Sequence, residues 1–225
     1  MIIVTGASKG IGRAICERLI SNNIQVLGLA RDTSDLSFPS LNCDISSPVE
    51  LKKVYQKIKT DESVVTGLIN AAGIASMNLA ITTPTSTAFS IIQTNLLGTI
   101  YCCQIFAPLM LRKKYGRIIN FSTIAVSLAL KGESIYAASK SGVETFSHVF
   151  AREVSDFNIT VNCIAPGPIN TDLLNGVTSS QINSIVSQQI ITKQFTVESI
   201  CDVVEVILDS KSQSLSGMVF KIGGS

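Results

Sequence analysis

The sequence is poor in histidine and in the cysteine spacings that bind metals. Among its 225 residues there is one histidine, His148, and the six cysteines form no Cys-x-x-Cys pair. Because zinc sites need closely spaced nitrogen and sulfur ligands, no metal centre is expected. Most of the cysteines have aliphatic neighbours, as small buried residues do. We therefore expect free thiols in a reducing compartment.

Charge is sparse and nearly balanced. The 18 basic and 16 acidic side chains give a net charge of +2, and no long basic stretch offers a surface for nucleic acid. The sequence opens on an apolar strand and a glycine loop without the pattern of a secretory leader, so we expect a cytoplasmic protein. The run at residues 96–111 would span ~24 Å as a helix, against ~30 Å of membrane core. It predicts a buried helix and no membrane partner.

The order of apolar segments predicts the fold class. Bursts rich in β-branched residues alternate with helical stretches, which is typical of βαβ units around a parallel sheet. The predicted strands are residues 2–5, 25–30, 41–43, 64–70, 117–122, 160–165 and 218–222. The predicted helices are residues 11–21, 48–60, 85–114, 135–157 and 197–210. We expect one Rossmann-type, doubly wound α/β domain over residues 1–225, with a parallel sheet of about seven strands.

Two segments depart from this alternation. Residues 31–42 are too short and turn-rich for a crossover helix, so a loop or a single turn is expected there. Residues 171–195 are rich in Ser, Gln and Asn, yet Ile182, Ile185, Val186 and Ile190 stand at helical spacing. This amphipathic insertion predicts a mobile substrate lid over residues 171–196.

A glycine-rich loop follows the first predicted strand and opens a helix. Its residues are Thr5-Gly6-Ala7-Ser8-Lys9-Gly10-Ile11-Gly12. Gly6 permits a tight turn, Gly10 lets the backbone approach a pyrophosphate, and Gly12 lets helix and sheet come close. Alone, such a loop is also compatible with a plain turn; its position between strand and helix favours nucleotide binding.

Tyr136 and Lys140 stand four residues apart, on one face of a predicted helix. A phenol with a pKa near ~10 carries protons poorly at neutral pH, and a nearby cation lowers that pKa. Such pairs also arise by chance in helices. Here the pair follows the glycine loop and an Asn70-Ala71-Ala72-Gly73 turn, and precedes a Pro166-Gly167 loop. That order predicts a site of proton transfer.

These motifs, in this order, resemble the short-chain dehydrogenase/reductase family along essentially the whole chain, and in particular its 3-oxoacyl-acyl-carrier-protein reductases. The turn at residues 70–73 has alanine in its second place, where the family has asparagine. The resemblance implies an oxidoreductase that passes hydride between a nicotinamide and a carbonyl carbon. Tyr136 would protonate the carbonyl oxygen, with Lys140, the ribose hydroxyls and water replenishing the proton.

The resemblance assigns two further catalytic residues. The family has a hydroxyl thirteen positions before the tyrosine, which falls on Thr123, where serine is usual. The extra methyl narrows the pocket. Ser122 is adjacent but faces the opposite way on an extended strand, so Thr123 is favoured. Asn95 matches an asparagine that holds a water between Lys140 and solvent; the alternative is a polar contact that kinks a long helix.

The end of the second strand predicts the cofactor. Ala30 occupies the place of the acid that accepts the ribose 2′-hydroxyl of NAD, and Arg31 follows it. Arg31 and Lys9 would instead meet the 2′-phosphate of NADP(H), with Asp32 pointing elsewhere. The alternative is that both cations are solvated surface charges.

The resemblance implies the remaining cofactor contacts. They are Ser8 and Ile11 in the glycine loop, Asp44 and Ile45 at the adenine, Asn70, Ala71 and Gly73 as sheet support and cofactor wall, and Pro166, Gly167, Ile169 and Thr171, with Tyr136 and Lys140, around the nicotinamide. From the residues alone, Asp44 could equally cap the helix that begins near Pro48, and the Pro-Gly loop could be a plain turn.

NADPH-dependent reduction of a ketone, on a small or acyl-type carbonyl substrate, is the leading hypothesis. A sugar, polyol or secondary-metabolite dehydrogenase is an alternative, and so is a catalytically weak NADP-binding regulator. A carrier protein could contact Lys114, but Asn175 stands where the related carrier-dependent reductases have a second basic residue. His148 is expected to be structural. The excess of apolar residues in 96–111 and 135–157 predicts a homodimer or homotetramer.

Overall fold

The computed structural model describes residues 1–225 and contains one sheet of seven parallel strands, ordered β3-β2-β1-β4-β5-β6-β7. The strands are β1 (Ile2–Thr5), β2 (Val26–Ala30), β3 (Ser40–Asn42), β4 (Gly67–Asn70), β5 (Gly116–Phe121), β6 (Ile159–Ala165) and β7 (Val219–Lys221). The α-helices are α1 (Gly10–Ser21), α2 (Pro48–Thr60), α3 (Thr85–Ile91), α4 (Gly98–Leu111), α5 (Ala125–Leu128), α6 (Ser134–Glu153), α7 (Ser179–Val186) and α8 (Val197–Leu208). The predicted α/β Rossmann-type fold is confirmed.

Successive residues of the central strands face opposite sides of the sheet, and both sides are apolar. Ile3 and Leu68 belong to a core shared with α2 and α4, whereas Val4 and Ile69 belong to a core shared with α1 and α8. All four side chains are fully buried. The strands therefore read as continuous apolar runs because helices cover both faces.

The direction of strand succession reverses between β1 and β4, which are paired so that Thr5 lies beside Asn70. In open α/β sheets, ligands bind outside the carboxyl ends of the strands at such a switch point. The backbone N–H of Ala72 donates to the Thr5 hydroxyl across it (3.2 Å). The glycine loop and the turn at residues 70–73 are thus neighbours in space.

Several boundaries differ from the predictions for identifiable reasons. Strand β4 begins at Gly67, which pairs with Ile2, the first residue of β1. The long helix predicted at 85–114 is divided by a π-helical segment, Ile92–Leu97, and ends at Leu111. No helix forms between β2 and β3, as expected.

The helical stretch Thr85–Leu111 has the length and composition of a membrane-crossing helix, with a mean hydropathy of 1.3. However, 44% of its apolar window is buried within the protein, and α4 packs against α2 and the sheet. Phe106 and Met110 are fully buried there. A core helix of a folded protein has the same composition, which agrees with the predicted buried helix.

The predicted lid contains a 3₁₀ turn, Asp172–Leu174, followed by α7. A capping box fixes the start of α7: Thr178 accepts from the backbone of Gln181, and Gln181 accepts from that of Thr178. The helical spacing expected to continue to Ile190 is wrong, because α7 ends at Val186. Ile190 is instead 78% exposed, and its N–H donates to Gly224 near the end of the chain.

Candidate active site

Close contacts fix the glycine loop against the turn after β4. Gly6 has a left-handed backbone (φ +71°), and a Cβ there would lie 2.8 Å from the Ala72 backbone. A Cβ on Gly12 would overlap the carbonyl oxygen of Gly6. Gly10 is different: its Cβ would touch nothing nearer than the Thr171 side chain at 3.5 Å. Gly6 and Gly12 therefore serve close backbone contact, whereas Gly10 leaves the N-terminal end of α1 open to a ligand.

One cleft lies at the carboxyl end of β2. Its lining residues are Ser8, Lys9, Arg13, Arg31, Asp32, Ser34, Asp35 and Leu36. Asp32 accepts from the backbone N–H of Ser34 (3.0 Å), which lowers the pKa of Asp32. That carboxylate is thus bonded within its own turn. Lys9 forms an exposed ion pair with Asp172 of the lid segment (3.5 Å), a contact that sequence reasoning missed.

Six of the predicted cofactor residues line neither this cleft nor the cavity that contains Tyr136: Gly6, Gly10, Gly12, Asp44, Ile45 and Asn70. Asp44 accepts from the backbone N–H and the hydroxyl of Ser46, and Ser47 caps α2, so the alternative role of Asp44 as a helix cap is wrong. Ile45 is buried in the core with α2 and α4. Asn70 donates to Asn120 of β5 (2.8 Å), which places it as a support within the sheet.

The main cavity, about 380 Å³, opens at the carboxyl ends of the central strands. The predicted site residues that line it are Ile11, Ala71, Gly73, Thr123, Tyr136, Lys140, Pro166, Gly167, Ile169 and Thr171. The lid segment contributes Leu173, Leu174, Asn175, Gly176, Val177 and Ile185. The glycine loop, the β4 turn, the tyrosine helix, the Pro-Gly loop and the lid therefore meet around one space.

Tyr136 and Lys140 both lie on the buried face of α6. Burial raises the pKa of Tyr136 well above its usual value; the charge of Glu133 raises it further, and the Thr123 hydroxyl partly opposes them. Burial lowers the pKa of Lys140 to about 8, while its Nζ donates to the Phe121 carbonyl (2.8 Å). The expected lowering of the phenol pKa is absent in the protein alone, where burial has the largest effect on that pKa.

The two adjacent hydroxyls after β5 have different partners. Ser122 donates to the Glu144 carboxylate and is 4% exposed. Thr123 interacts with the Tyr136 phenol and accepts from the backbone N–H of Ala125 (3.2 Å). Thr123 is therefore the hydroxyl available beside the phenol.

Asn95 is fully buried in the π-helical segment between α3 and α4. Its amide oxygen accepts from the Ile74 N–H (2.9 Å), and its amide nitrogen donates to the Ile74 carbonyl (2.8 Å) and to Ser139 (3.1 Å). The asparagine thus fastens the β4 turn to the tyrosine helix. A Cβ on Gly73 would lie 3.3 Å from Asn95 Oδ1 and 3.5 Å from Lys140 Nζ, so this glycine keeps the amine accessible.

One cavity residue was missed by sequence reasoning. Glu133 directly precedes α6 and lines the cavity, and its Oε2 is buried without a hydrogen-bond partner. Burial raises its pKa to about 7. The sequence signal was available: a carboxylate three residues before a tyrosine lies on the same helix side. His148, by contrast, is exposed, with its Nδ1 near the Gly217 carbonyl, which agrees with a structural role.

The stability of Glu133→Gln, measured relative to wild type, is expected to be greater at alkaline pH than at acidic pH. The folded pKa of about 7 lies above the ordinary value of 4.5. The folded wild type therefore retains a proton that the unfolded chain loses, so its stability falls as pH rises through this window. The free energy of unfolding of the variant should gain about 1–3 kcal/mol on wild type between about pH 5 and about pH 8.

Urea denaturation at the two pH values measures this difference. Glu153→Gln, which changes an exposed carboxylate on the same helix, is the matched control and should show little pH-dependent gain. If the difference in free energy of unfolding between Glu133→Gln and wild type were the same at both pH values, Glu133 would not be a buried, unpaired carboxyl.

Comparison with known proteins accounts for this arrangement. Residues 1–182 match the family model described as short chain dehydrogenase. The chain is 30% identical to the 3-oxoacyl-acyl-carrier-protein reductase FabG of Escherichia coli, covering 99% of this chain and 95% of that one. It is 32% identical to carbonyl reductase family member 4 of Xenopus laevis, covering 81% of each.

Among solved structures, the ligand-free aldohexose dehydrogenase of Thermoplasma acidophilum superposes with a TM-score of 0.89 at 25% identity, covering 99% of this chain and 92% of the other. The fold therefore agrees with that of the T. acidophilum enzyme over nearly the whole chain. The chain belongs to the short-chain dehydrogenase/reductase family.

Proposed function

We propose that the protein is an NADPH-dependent reductase that converts a ketone to a secondary alcohol. The observation that carries this proposal is the cavity in which the Tyr136 phenol and the Thr123 hydroxyl lie together beside the end of the glycine loop. A phenol and a second hydroxyl within one enclosed space suit a carbonyl oxygen, which gains negative charge during reduction. The E. coli and Xenopus relatives bear the names of carbonyl-reducing enzymes.

The residues present fit a dinucleotide. The backbone at Gly10 is open on the side facing the crevice, and α1 begins there, so its first amides can hold a pyrophosphate. Ile11, Ala71 and Ile169 supply apolar walls to the cavity. When bound, a reduced nicotinamide supplies the hydride that the carbonyl carbon accepts. Gly6 and Gly12 would hold the loop in the shape that this binding needs.

The side chains then have separate tasks. The Thr123 hydroxyl orients the carbonyl oxygen, and Tyr136 gives that oxygen its proton. The raised pKa of Tyr136 suits reduction, because the phenol is protonated and ready to donate at neutral pH. Lys140, with a pKa of about 8, is the adjacent group able to return a proton to the phenolate. Asn95 positions the turn and the helix that carry these groups.

NADPH oxidation, followed by absorbance with a panel of carbonyl compounds, tests this proposal. The panel includes acetoacetyl thioesters, small ketones and aldoses, and NADH is compared in parallel. Turnover of at least one ketone with NADPH is expected. Tight NADPH binding without turnover of any compound would instead indicate a cofactor-binding regulator.

Among substrates, a 3-oxoacyl thioester and a hydroxylated carbonyl compound are both candidates. The named activity of the E. coli relative favours the first. The aldohexose dehydrogenase of T. acidophilum favours the second. Lys114 is exposed, as docking of an acidic carrier would need, but Asn175 lines the cavity where a second basic residue would be expected.

Arg31→Ala is expected to weaken NADPH binding about tenfold to a hundredfold, since a charged hydrogen bond contributes about 1.5–3 kcal/mol. NADH binding should change by about twofold at most, because NADH lacks the 2′-phosphate that Arg31 would contact. Arg31 is exposed in the cleft at the end of β2, and the neighbouring Asp32 is bonded within its own turn. Titration of each dinucleotide, followed by fluorescence, measures both constants.

Arg152→Ala removes an exposed cation from α6, far from that cleft, and is the matched control. It should leave both dissociation constants as in wild type. Equal losses of NADPH and NADH binding in Arg31→Ala would argue for a general electrostatic effect and against a phosphate contact.

We also propose that the protein is a cytoplasmic homo-oligomer. All six cysteines are free and buried, which suits a reducing compartment. Phe89 and Val149, on α3 and α6, remain 66% and 49% exposed, and Phe146 stacks on Phe150 beside them along α6. A second copy would cover these side chains, and sedimentation analysis tests that expectation.

A further inference from the structure

Glu133 is an unpaired carboxyl in the wall of the main cavity. It stands at the N-cap position of α6, yet its side chain accepts no hydrogen bond from the first turn of that helix. The residue is 7% exposed, and Oε2 has no partner. Leaving a buried polar group unpaired costs stability, and an unpaired charge costs more. Such a cost is retained where a ligand supplies the missing partner.

No other group of the protein neutralises this carboxyl. Of the 27 residues that line the cavity, Glu133 and Lys140 are the charged ones, and Lys140 is bonded to the Phe121 carbonyl. Glu133 takes part in none of the salt bridges of the chain. Its raised pKa has burial as its cause and no cation opposing it. The carboxyl therefore has no charged partner within the protein, and the residue lines the cavity.

The position of Glu133 relative to Tyr136 sets what it can reach. Residues three apart on a helix have Cβ atoms roughly 5–6 Å apart on the same side. In a substrate whose carbonyl oxygen contacts Tyr136 and Thr123, the atoms one to a few bonds from that carbonyl would thus lie toward Glu133. The cavity wall also contains apolar side chains, Met77, Leu130 and Ile185 among them.

We propose that Glu133 binds a hydrogen-bond donor of the substrate, a hydroxyl or an ammonium group carried close to the reacting carbonyl. This rests on the proposed reductase function and narrows its substrate class to hydroxy- or amino-substituted carbonyl compounds. A 3-oxoacyl thioester has no such donor next to its ketone. Glu133 therefore favours the hydroxylated class over the acyl class.

Three ketones of similar size test the proposal: hydroxyacetone, its methyl ether methoxyacetone, and aminoacetone. The first and third carry a donor beside the carbonyl, and the ether carries none. Turnover with NADPH is measured for wild type, Glu133→Gln, Glu133→Leu and the control Glu153→Gln. Binding of the same ketones to each protein with NADP⁺ is measured by calorimetry, where no hydride is available for reaction.

At about pH 8, where the Glu133 carboxyl is ionised, we expect wild type to prefer hydroxyacetone over methoxyacetone by about tenfold or more, in kcat/KM and in affinity, because hydrogen bonds to charged groups are the stronger ones. The preference should fall to about one in Glu133→Leu, be intermediate in Glu133→Gln, and stay unchanged in Glu153→Gln. A larger preference for aminoacetone than for hydroxyacetone would identify the donor as an ammonium group.

The two proposals fail separately in this design. A binding preference that disappears in Glu133→Leu, without turnover by wild type, would support the donor site and contradict the reductase function. Equal affinity of wild type for hydroxyacetone and methoxyacetone would overturn the donor site, whatever the turnover. The Gln variant guards against misfolding, because it keeps the size of the side chain and removes the charge.

Discussion

Tyr136→Phe should lower turnover of a ketone by about a thousandfold or more while NADPH binds within about twofold of wild type. General acid catalysis by a positioned side chain contributes about 10²–10⁴ in rate. The substitution removes the phenolic oxygen, which interacts with the Thr123 hydroxyl, and keeps the ring that lies on the buried face of α6. The fold should therefore be unaffected.

Initial rates from NADPH absorbance, together with a fluorescence titration of NADPH, measure the two quantities. Tyr55→Phe is the matched control, because Tyr55 is a partly buried tyrosine on α2 that packs against the core away from the cavity. Undiminished turnover in Tyr136→Phe would remove the phenol from the mechanism and leave the family's usual chemistry without its acid.

Gly12→Ala should lose at least about 3 kcal/mol of stability, in the range of severe overpacking. A Cβ at position 12 would overlap the Gly6 carbonyl oxygen and lie 2.8 Å from its carbon. Both atoms belong to the backbone of the glycine loop, which the turn after β4 holds from the other side. The loop would have to shift away from α1, and cofactor binding should fall with stability.

Gly10→Ala separates these two effects. Its Cβ would meet Thr171 at an ordinary 3.5 Å, so the cost to the fold is the left-handed backbone alone (φ +56°), about 1–2 kcal/mol. It should nonetheless weaken NADPH binding, because it covers the open side of the loop. Gly217→Ala, at another left-handed backbone (φ +74°) that lines neither the cavity nor the β2 cleft, is the control that should spare NADPH affinity. Similar stability losses in Gly10→Ala and Gly12→Ala would contradict the overlap.

The fold was predictable because its determinants are local and periodic. The apolar runs of β1, β5 and β6 lie in a sheet covered on both faces, so the predicted ends of these strands are within one residue of the observed ends. The predicted boundaries were wrong where contacts between residues far apart in the sequence set them. Strand β4 starts at Gly67, opposite Ile2 at the start of β1, and Ile190 lies outside α7, where its N–H donates to the Gly224 carbonyl.

The candidate site was predictable as a set of motifs but not as a set of contacts. Tyr136, Lys140, Thr123 and the Pro-Gly loop do line one cavity. The ion pair of Lys9 with Asp172 joins residues far apart in the chain, and no spacing rule indicates it. The raised pKa of Tyr136 is caused mainly by burial, which the spacing of Tyr136 and Lys140 in the sequence does not reveal.

The six thiols have a consequence for the behaviour of the folded protein in solution. They are all buried, with thiol pKa values raised by burial, to about 12 for Cys16 and Cys103 and to about 11 for Cys163 and Cys201. Alkylating agents attack thiolates, so native molecules should resist them at neutral pH. Each modification event then records a transient opening of the element concerned. The rate at which each of these cysteines is modified therefore reports how often its own element opens, and α1, α4, β6 and α8 can be followed separately.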